Sequence, residues 1–183
     1  MAEYTLATNP FPVGSSAPDF ELLGADGETY NLASFADKDV LVVAFVCNHC
    51  PYVVAYWDRL KALVAEFVVV QFVGVNSNDD VNYPDDSYEK MVELVAREGI
   101  DFPYLRDDSQ AVAKAYHAER TPQVFVFSKD RKLVYTGGID DSCRDPEQVG
   151  EQMLKDALVA MREGHEIVKP EAPSIGCSIK WKY

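Results

Sequence analysis

The chain has no run of lysine or arginine long enough to grip a polyanion. Its 17 basic residues stand against 30 acidic ones, a net charge of −13 over 183 residues. Nucleic acid and an anionic membrane surface are therefore excluded as expected partners. The opening residues, Met1 to Thr8, carry neither a basic n-region nor an apolar h-region. No apolar stretch approaches the roughly 18 residues of a membrane span. These absences point to a cytoplasmic protein. The GxSxG, GxxxxGK[ST] and GxGxxG patterns are also missing, which removes the hydrolase elbow, the P-loop and the dinucleotide fingerprint. Cysteine is sparse, four residues with a single CxxC. A structural zinc site usually needs a second ligand pair, and Cys143 and Cys177 stand alone. A c-type haem needs a histidine after the second cysteine, where this chain has Pro51. No metal and no cofactor is expected. In a cytosolic chain such cysteines are free, catalytic or metal-binding rather than structural disulfides.

What is present is enough for one well-buried domain, with 48% hydrophobic residues. Residues 1–18, with Pro10, Pro12 and Pro18, read as an irregular arm. Residues 19–168 read as the domain, and residues 169–183 as a tail that packs back through Pro173, Ile175 and Trp181. Within the domain, Phe20 to Leu32 reads as a β-hairpin turning at Asp26-Gly27. Val40 to Val46 and Val68 to Val75 read as buried strands. A helix from Tyr52 to Phe67 places Val53, Tyr56, Trp57, Leu60 and Val64 on one apolar face. Asn76 to Asp86 is a polar loop, its paired aspartates read as solvated. Ser87 caps a helix that ends at Gly99. A short strand at Tyr104-Leu105 and a short helix from Ser109 to His117 follow. A hairpin pairs Gln123 to Phe127 with Leu133 to Thr136, and a last helix runs from Pro146 to Arg162. This order implies an α/β fold with a mixed sheet covered on both faces.

The chemistry concentrates in Cys47-Asn48-His49-Cys50-Pro51, between the first buried strand and the first helix. A dithiol at a helix N-terminus meets free N–H groups and the positive end of the helix dipole, both of which favour a thiolate. Cys47, at the strand end where a side chain can face solvent, is the expected nucleophile. Cys50 is expected to resolve the mixed disulfide. His49 between them would lower the thiol pKa when charged. Pro51 suits the first helical position, where its missing N–H costs nothing. Thr121-Pro122, directly before a buried strand, is a candidate cis bond. Cys143 is expected in a surface loop. Cys177 either packs against the domain or joins the redox pair.

These residues carry a resemblance. The strand, CxxC, helix and late Thr-Pro are similar to the thioredoxin superfamily. The strings Cys47 to Val53, Ile139-Asp140-Asp141 and Pro173 to Trp181 resemble its peroxiredoxin-like redoxin branch, over about Ala17 to Trp181. The resemblance implies a thioredoxin fold with an N-terminal β-hairpin and a C-terminal tail. It implies Cys47 and Cys50 as the redox pair, with Pro122 as the facing cis-proline. In peroxidases of the superfamily the reactive cysteine matches Cys50, with a hydroxyl residue three before it and a proline seven before it. Here those positions hold Cys47 and Val43. The expected function is thiol-disulfide exchange with protein disulfides or small oxidised thiols, fed by a thiol reductant. The alternatives are a thiol peroxidase acting on hydroperoxides through Cys50, and a redox-sensing module without catalysis.

Overall fold

In the computed structural model, which describes residues 4–183, thirteen regular elements build a layered α/β domain. In chain order they are β1 (Glu21–Gly24), β2 (Thr29–Asn31), β3 (Val40–Phe45), α1 (Pro51–Glu66), β4 (Val70–Asn76), α2 (Tyr88–Glu98), β5 (Tyr104–Arg106), α3 (Ala111–Ala115), β6 (Arg120–Thr121), β7 (Gln123–Phe127), β8 (Leu133–Gly137), α4 (Met153–Glu163) and β9 (Cys177–Ser178). The first three residues of the irregular arm lie outside the described residues.

A seven-stranded mixed sheet has the order β2-β1-β5-β4-β3-β7-β8. Its centre is parallel, β3 beside β4 and β4 beside β5, while β7 runs antiparallel to β3. A parallel centre is covered on both faces, so its strands read as continuous apolar runs. The period of two in β3 splits that run between two layers. Val42 and Ala44 pack with α1, α2 and α4, through residues such as Trp57, Leu60, Met91 and Leu154. Leu41, Val43 and Phe45 pack with Phe20, Phe35, Val112 and Tyr116 on the other face. Burial of each aliphatic core side chain contributes roughly 1.5–3 kcal/mol.

Because β3 and β4 are parallel neighbours, the loops that leave their carboxyl ends emerge side by side. One is the CxxC; the other is Asn76–Asp86. Such carboxyl edges are where open α/β sheets place their sites. A separate two-stranded ribbon, β6 with β9, brings the tail to the same edge in the register Thr121↔Cys177.

Several expected boundaries move. The apolar face of α1 also takes in Leu63, which is buried, beside the partly buried Val64. Val68 and Val69 lie in the exposed turn before β4. The last helix begins at Met153, not Pro146, and Pro146–Gln148 forms one 3-10 turn. The cause is a clamp: the Asp141 carboxylate accepts from Gly150 N at 2.9 Å, and Asp141 N donates to Glu151 O at 3.2 Å. That clamp holds the intervening chain out of the helix. No helix among the described residues is long and apolar enough to cross a membrane.

Candidate active site

Cys47 follows the end of β3, and Cys50 is the N-cap of α1, with Pro51 at the first helical position. The capping side chain makes no hydrogen bond to its own helix. Its sulfur instead meets the late Thr-Pro segment, since Cys50 Sγ lies 3.3 Å from Thr121 O. Cys47 Sγ lies 3.3 Å from Thr121 Oγ1. The Thr121-Pro122 bond is cis. Thr121, more than seventy residues away in sequence, thus contacts both sulfurs with one residue.

The two thiols are not equivalent. Both are wholly buried, which corrects the expectation of a solvent-facing Cys47. The Cys50 thiol is lowered to about 4, first by a hydrogen bond from Cys47, then by the Cys177 side chain and by the backbone at Val53 and Cys177. Burial and the Thr121 carbonyl, which pairs only with the protonated thiol, oppose this. The Cys47 thiol is pushed up because it donates to Cys50, is desolvated and faces the Asp86 carboxylate. The charge-favouring contacts therefore converge on Cys50 and reverse the expected order of the pair.

Asp86 is the residue that sequence reasoning missed. It was expected in a solvated acidic loop, yet it is fully buried. Its carboxylate accepts from Asn48 N at 2.7 Å and from the Asn78 side chain at 2.7 Å. The Asn48 side chain in turn donates to Asp85 O and accepts from the Tyr104 hydroxyl, each at 2.9 Å. Asn76, Asn78 and Asp79 are buried with it. A buried carboxylate must be paired, and the asparagines of this loop supply the donors. The available signal was topological: the loop follows the strand paired with the CxxC strand.

His49 Nδ1 stands 2.8 Å from Asp86 Oδ2. The approach is off the N–H axis, so the pair does not make a linear hydrogen bond. The ring also stacks on Tyr83, with centroids 6.1 Å apart and planes within 4°. Cys47, His49 and Asp86 each bring one donor atom within 4.8 Å of the others, which makes them the one candidate metal trio among the described residues.

The remaining cysteines separate. Cys143 is buried, not in a surface loop, and donates to Tyr52 O at 3.6 Å. Burial pushes its thiol up to about 11. It sits in a polar network on the far side of the start of α1, where Asp140 accepts from Tyr56 and pairs with Arg59. The Ile139-Asp140-Asp141 string is thus a brace for α1 and Asp141 its neighbouring clamp. Cys177, half-buried on β9, places its sulfur 3.0 Å from Cys50 Sγ.

Comparison with known proteins bears on the family and the fold. The redoxin family model matches residues 12–153. A thiol-disulfide oxidoreductase ResA from Geobacillus kaustophilus is 31% identical over 144 residues, covering 73% of this chain and 78% of that protein. Among solved structures, a hypothetical protein from Sinorhizobium meliloti superposes with a TM-score of 0.90 at 37% identity, over 97% of this chain and 99% of the other. Peroxidoxin BcpB from Mycobacterium tuberculosis shares the fold, with a TM-score of 0.63 at 22% identity over 82% and 96% of the two chains.

Proposed function

This chain belongs to the redoxin family and is a thiol-disulfide oxidoreductase, and we propose that Cys47 and Cys50 carry its two electrons. The observation that carries the assignment is the convergence of donors on one sulfur of a buried pair at a helix N-cap. In the reduced state the thiolate resides on Cys50. A thiolate is the exchanging species, and a stabilised one is also the better leaving group. The Cys50 thiolate attacks one sulfur of the substrate disulfide. That S–S bond breaks, its other sulfur leaves and takes a proton from solvent, and Cys47 keeps its own proton meanwhile. Cys47 then loses that proton toward the neighbouring His49–Asp86 pair and attacks Cys50. The internal Cys47–Cys50 disulfide forms, and the substrate sulfur bonded to Cys50 leaves as a thiol. The partner's disulfide is reduced by two electrons and the protein is oxidised by two.

The substrates that fit are protein disulfides or small oxidised thiols, with a thiol reductant to return the protein to its dithiol. The peroxidase alternative lacks its oriented hydroxyl, since Cys47 occupies the position three before Cys50. The test is reduction of insulin disulfides with dithiothreitol as the electron source. Wild type is expected to accelerate it, and Cys50→Ser and Cys47→Ser to lower the rate by about a hundredfold or more. Full activity in either variant, or rapid hydroperoxide consumption by wild type without disulfide reduction, contradicts the reading.

A further inference from the structure

Both cysteines of the redox pair are buried in this conformation, and the third cysteine, in contact with Cys50, is not fully so. Cys47 and Cys50 are fully buried, while Cys177 is half-buried within the tail. Cys50 shares Thr121 with Cys47, and its sulfur lies 3.0 Å from Cys177 Sγ. Closing that gap to a bond of about 2.05 Å needs a movement of only about 1 Å.

The placement of Cys177 is built into the fold. The ribbon of β9 on β6 pairs it directly with Thr121, the residue that touches both other sulfurs. Gly176 makes the approach feasible, because a Cβ there would stand 2.3 Å from Thr121 O and 2.7 Å from its carbonyl carbon. Beyond Cys177 the tail is held by Ile179, which is buried and donates to Glu119 O at 3.1 Å. Lys180 N donates to Asn78 Oδ1 at 2.9 Å. A thiol that merely fills space needs no such register.

We propose that Cys177 is a third redox thiol and the outward port of the site, taking the disulfide from the buried pair and presenting it to a thiol reductant. This rests on the reading of Cys47 and Cys50 as the redox couple. In the first step Cys177 gives up its proton and attacks the Cys50 sulfur of the internal disulfide. The Cys50–Cys177 bond forms, the Cys47–Cys50 bond breaks, and Cys47 leaves and takes up a proton, with no net change in oxidation state. In the second step a reductant thiolate attacks the accessible Cys177 sulfur. The Cys50–Cys177 bond breaks and Cys50 leaves as the stabilised thiolate. In the third step the reductant's second thiolate attacks its own sulfur in the mixed disulfide. Cys177 is freed as a thiol and the reductant departs as its disulfide. Two electrons pass from the two reductant thiols to the protein. The polarity suits the second step, in which Cys50, the low-pKa thiol, is the leaving group.

The test uses the full chain. Reduced protein is oxidised with a limiting amount of oxidised glutathione, quenched in acid, alkylated with N-ethylmaleimide, digested and mapped by mass spectrometry. Both Cys47–Cys50 and Cys50–Cys177 peptides are expected in wild type. Oxidised protein is then mixed with dithiothreitol and its reduction followed by tryptophan fluorescence. Cys177→Ser and Cys177→Ala, two replacements of different polarity, are expected to keep the Cys47–Cys50 disulfide and to slow its reduction by about tenfold or more. Cys47–Cys50 alone in wild type, with Cys177 fully alkylated and the variants reduced at the wild-type rate, overturns the port while leaving the redox pair intact. A Cys50–Cys177 disulfide without any Cys47–Cys50 species supports the third thiol and overturns the pair. No internal disulfide of either kind overturns both.

Discussion

Two walls from distant parts of the chain enclose the sulfurs, and they act in opposite senses. The loop wall, Asn76–Asp86, brings a buried carboxylate toward Cys47 and raises that thiol. The tail wall, Gly176 to Lys180, brings the Cys177 thiol and backbone to Cys50 and lowers that one. The two cysteines share a loop and a helix terminus, so the helix dipole alone does not separate them strongly. The two thiols polarise each other first, Cys47 toward Cys50, and the walls fix the sense: an acceptor-only group beside Cys47, donors beside Cys50. A dithiol becomes polarised when its two sulfurs face unlike neighbours.

The largest expected effect is on titration, and it sharpens the comparison directly. One thiolate, read by absorbance near 240 nm in the reduced protein, is expected to persist from neutral pH down to about 4. An ordinary thiol would protonate near 8.5. The sign for stability follows from linkage. A depressed folded pKa stabilises the reduced fold fully above the unfolded thiol's pKa, and this contribution is lost as pH falls through about 4. Cys177→Ala removes a tail donor and is expected to move the midpoint upward. An unchanged midpoint in that variant, or a wild-type thiol titrating near 8.5, removes the polarity.

Breaking the tail wall comes next. Gly176→Ala puts a methyl against the Thr121 carbonyl, so backbone must shift. A loss of about 3 kcal/mol in urea unfolding is expected, at the upper end for overpacking. Cys177 labelling by Ellman's reagent is expected to quicken in parallel. Equal stability and equal labelling mean that the tail is not held at Thr121.

Breaking the loop wall costs slightly less. Asp86→Ala strands the Asn48 N–H and the Asn78 amide in a buried setting, at about 2 kcal/mol in the same unfolding assay. Asp86→Asn keeps the shape and removes the charge, so its stability loss is expected to be smaller while the Cys47 thiol falls. A raised or unmoved Cys47 in that variant would mean that the carboxylate does not act on it.

His49→Ala is expected to have the smallest effect. The imidazole sits against Asp86, Nδ1 2.8 Å from Oδ2, so it acts on the sulfurs through that carboxylate. Removing it leaves the carboxylate facing Cys47 uncompensated and the thiolate less favoured. The disulfide should become harder to reduce, with the potential falling by about 30 mV or less. A rise in potential against a glutathione buffer would reverse the assigned sign.

The sequence by itself determined the α/β layout, the dithiol and its place. Apolar runs of strand length, the period-3.6 stripe of α1 and Pro51 at its first turn are local signals, written within a few residues of what they specify. Ser87 and Gly99 bounded α2 for the same reason. The start of α4 was misread because Asp141, at a distance, clamps Gly150 and Glu151 out of the helix. The Thr121-Pro122 segment was legible only as a candidate beside a CxxC, and its contacts with both sulfurs came from the fold. Asp86 and Cys177 were decided by tertiary structure alone. An aspartate in a polar run reads as solvated, and a tail cysteine as filler or as a redox partner, until parallel pairing of β3 with β4 and antiparallel pairing of β6 with β9 place them at one edge. Burial there turns a charge and a thiol, each unremarkable in water, into the groups that set the polarity of the pair, because desolvation makes every nearby donor and acceptor count.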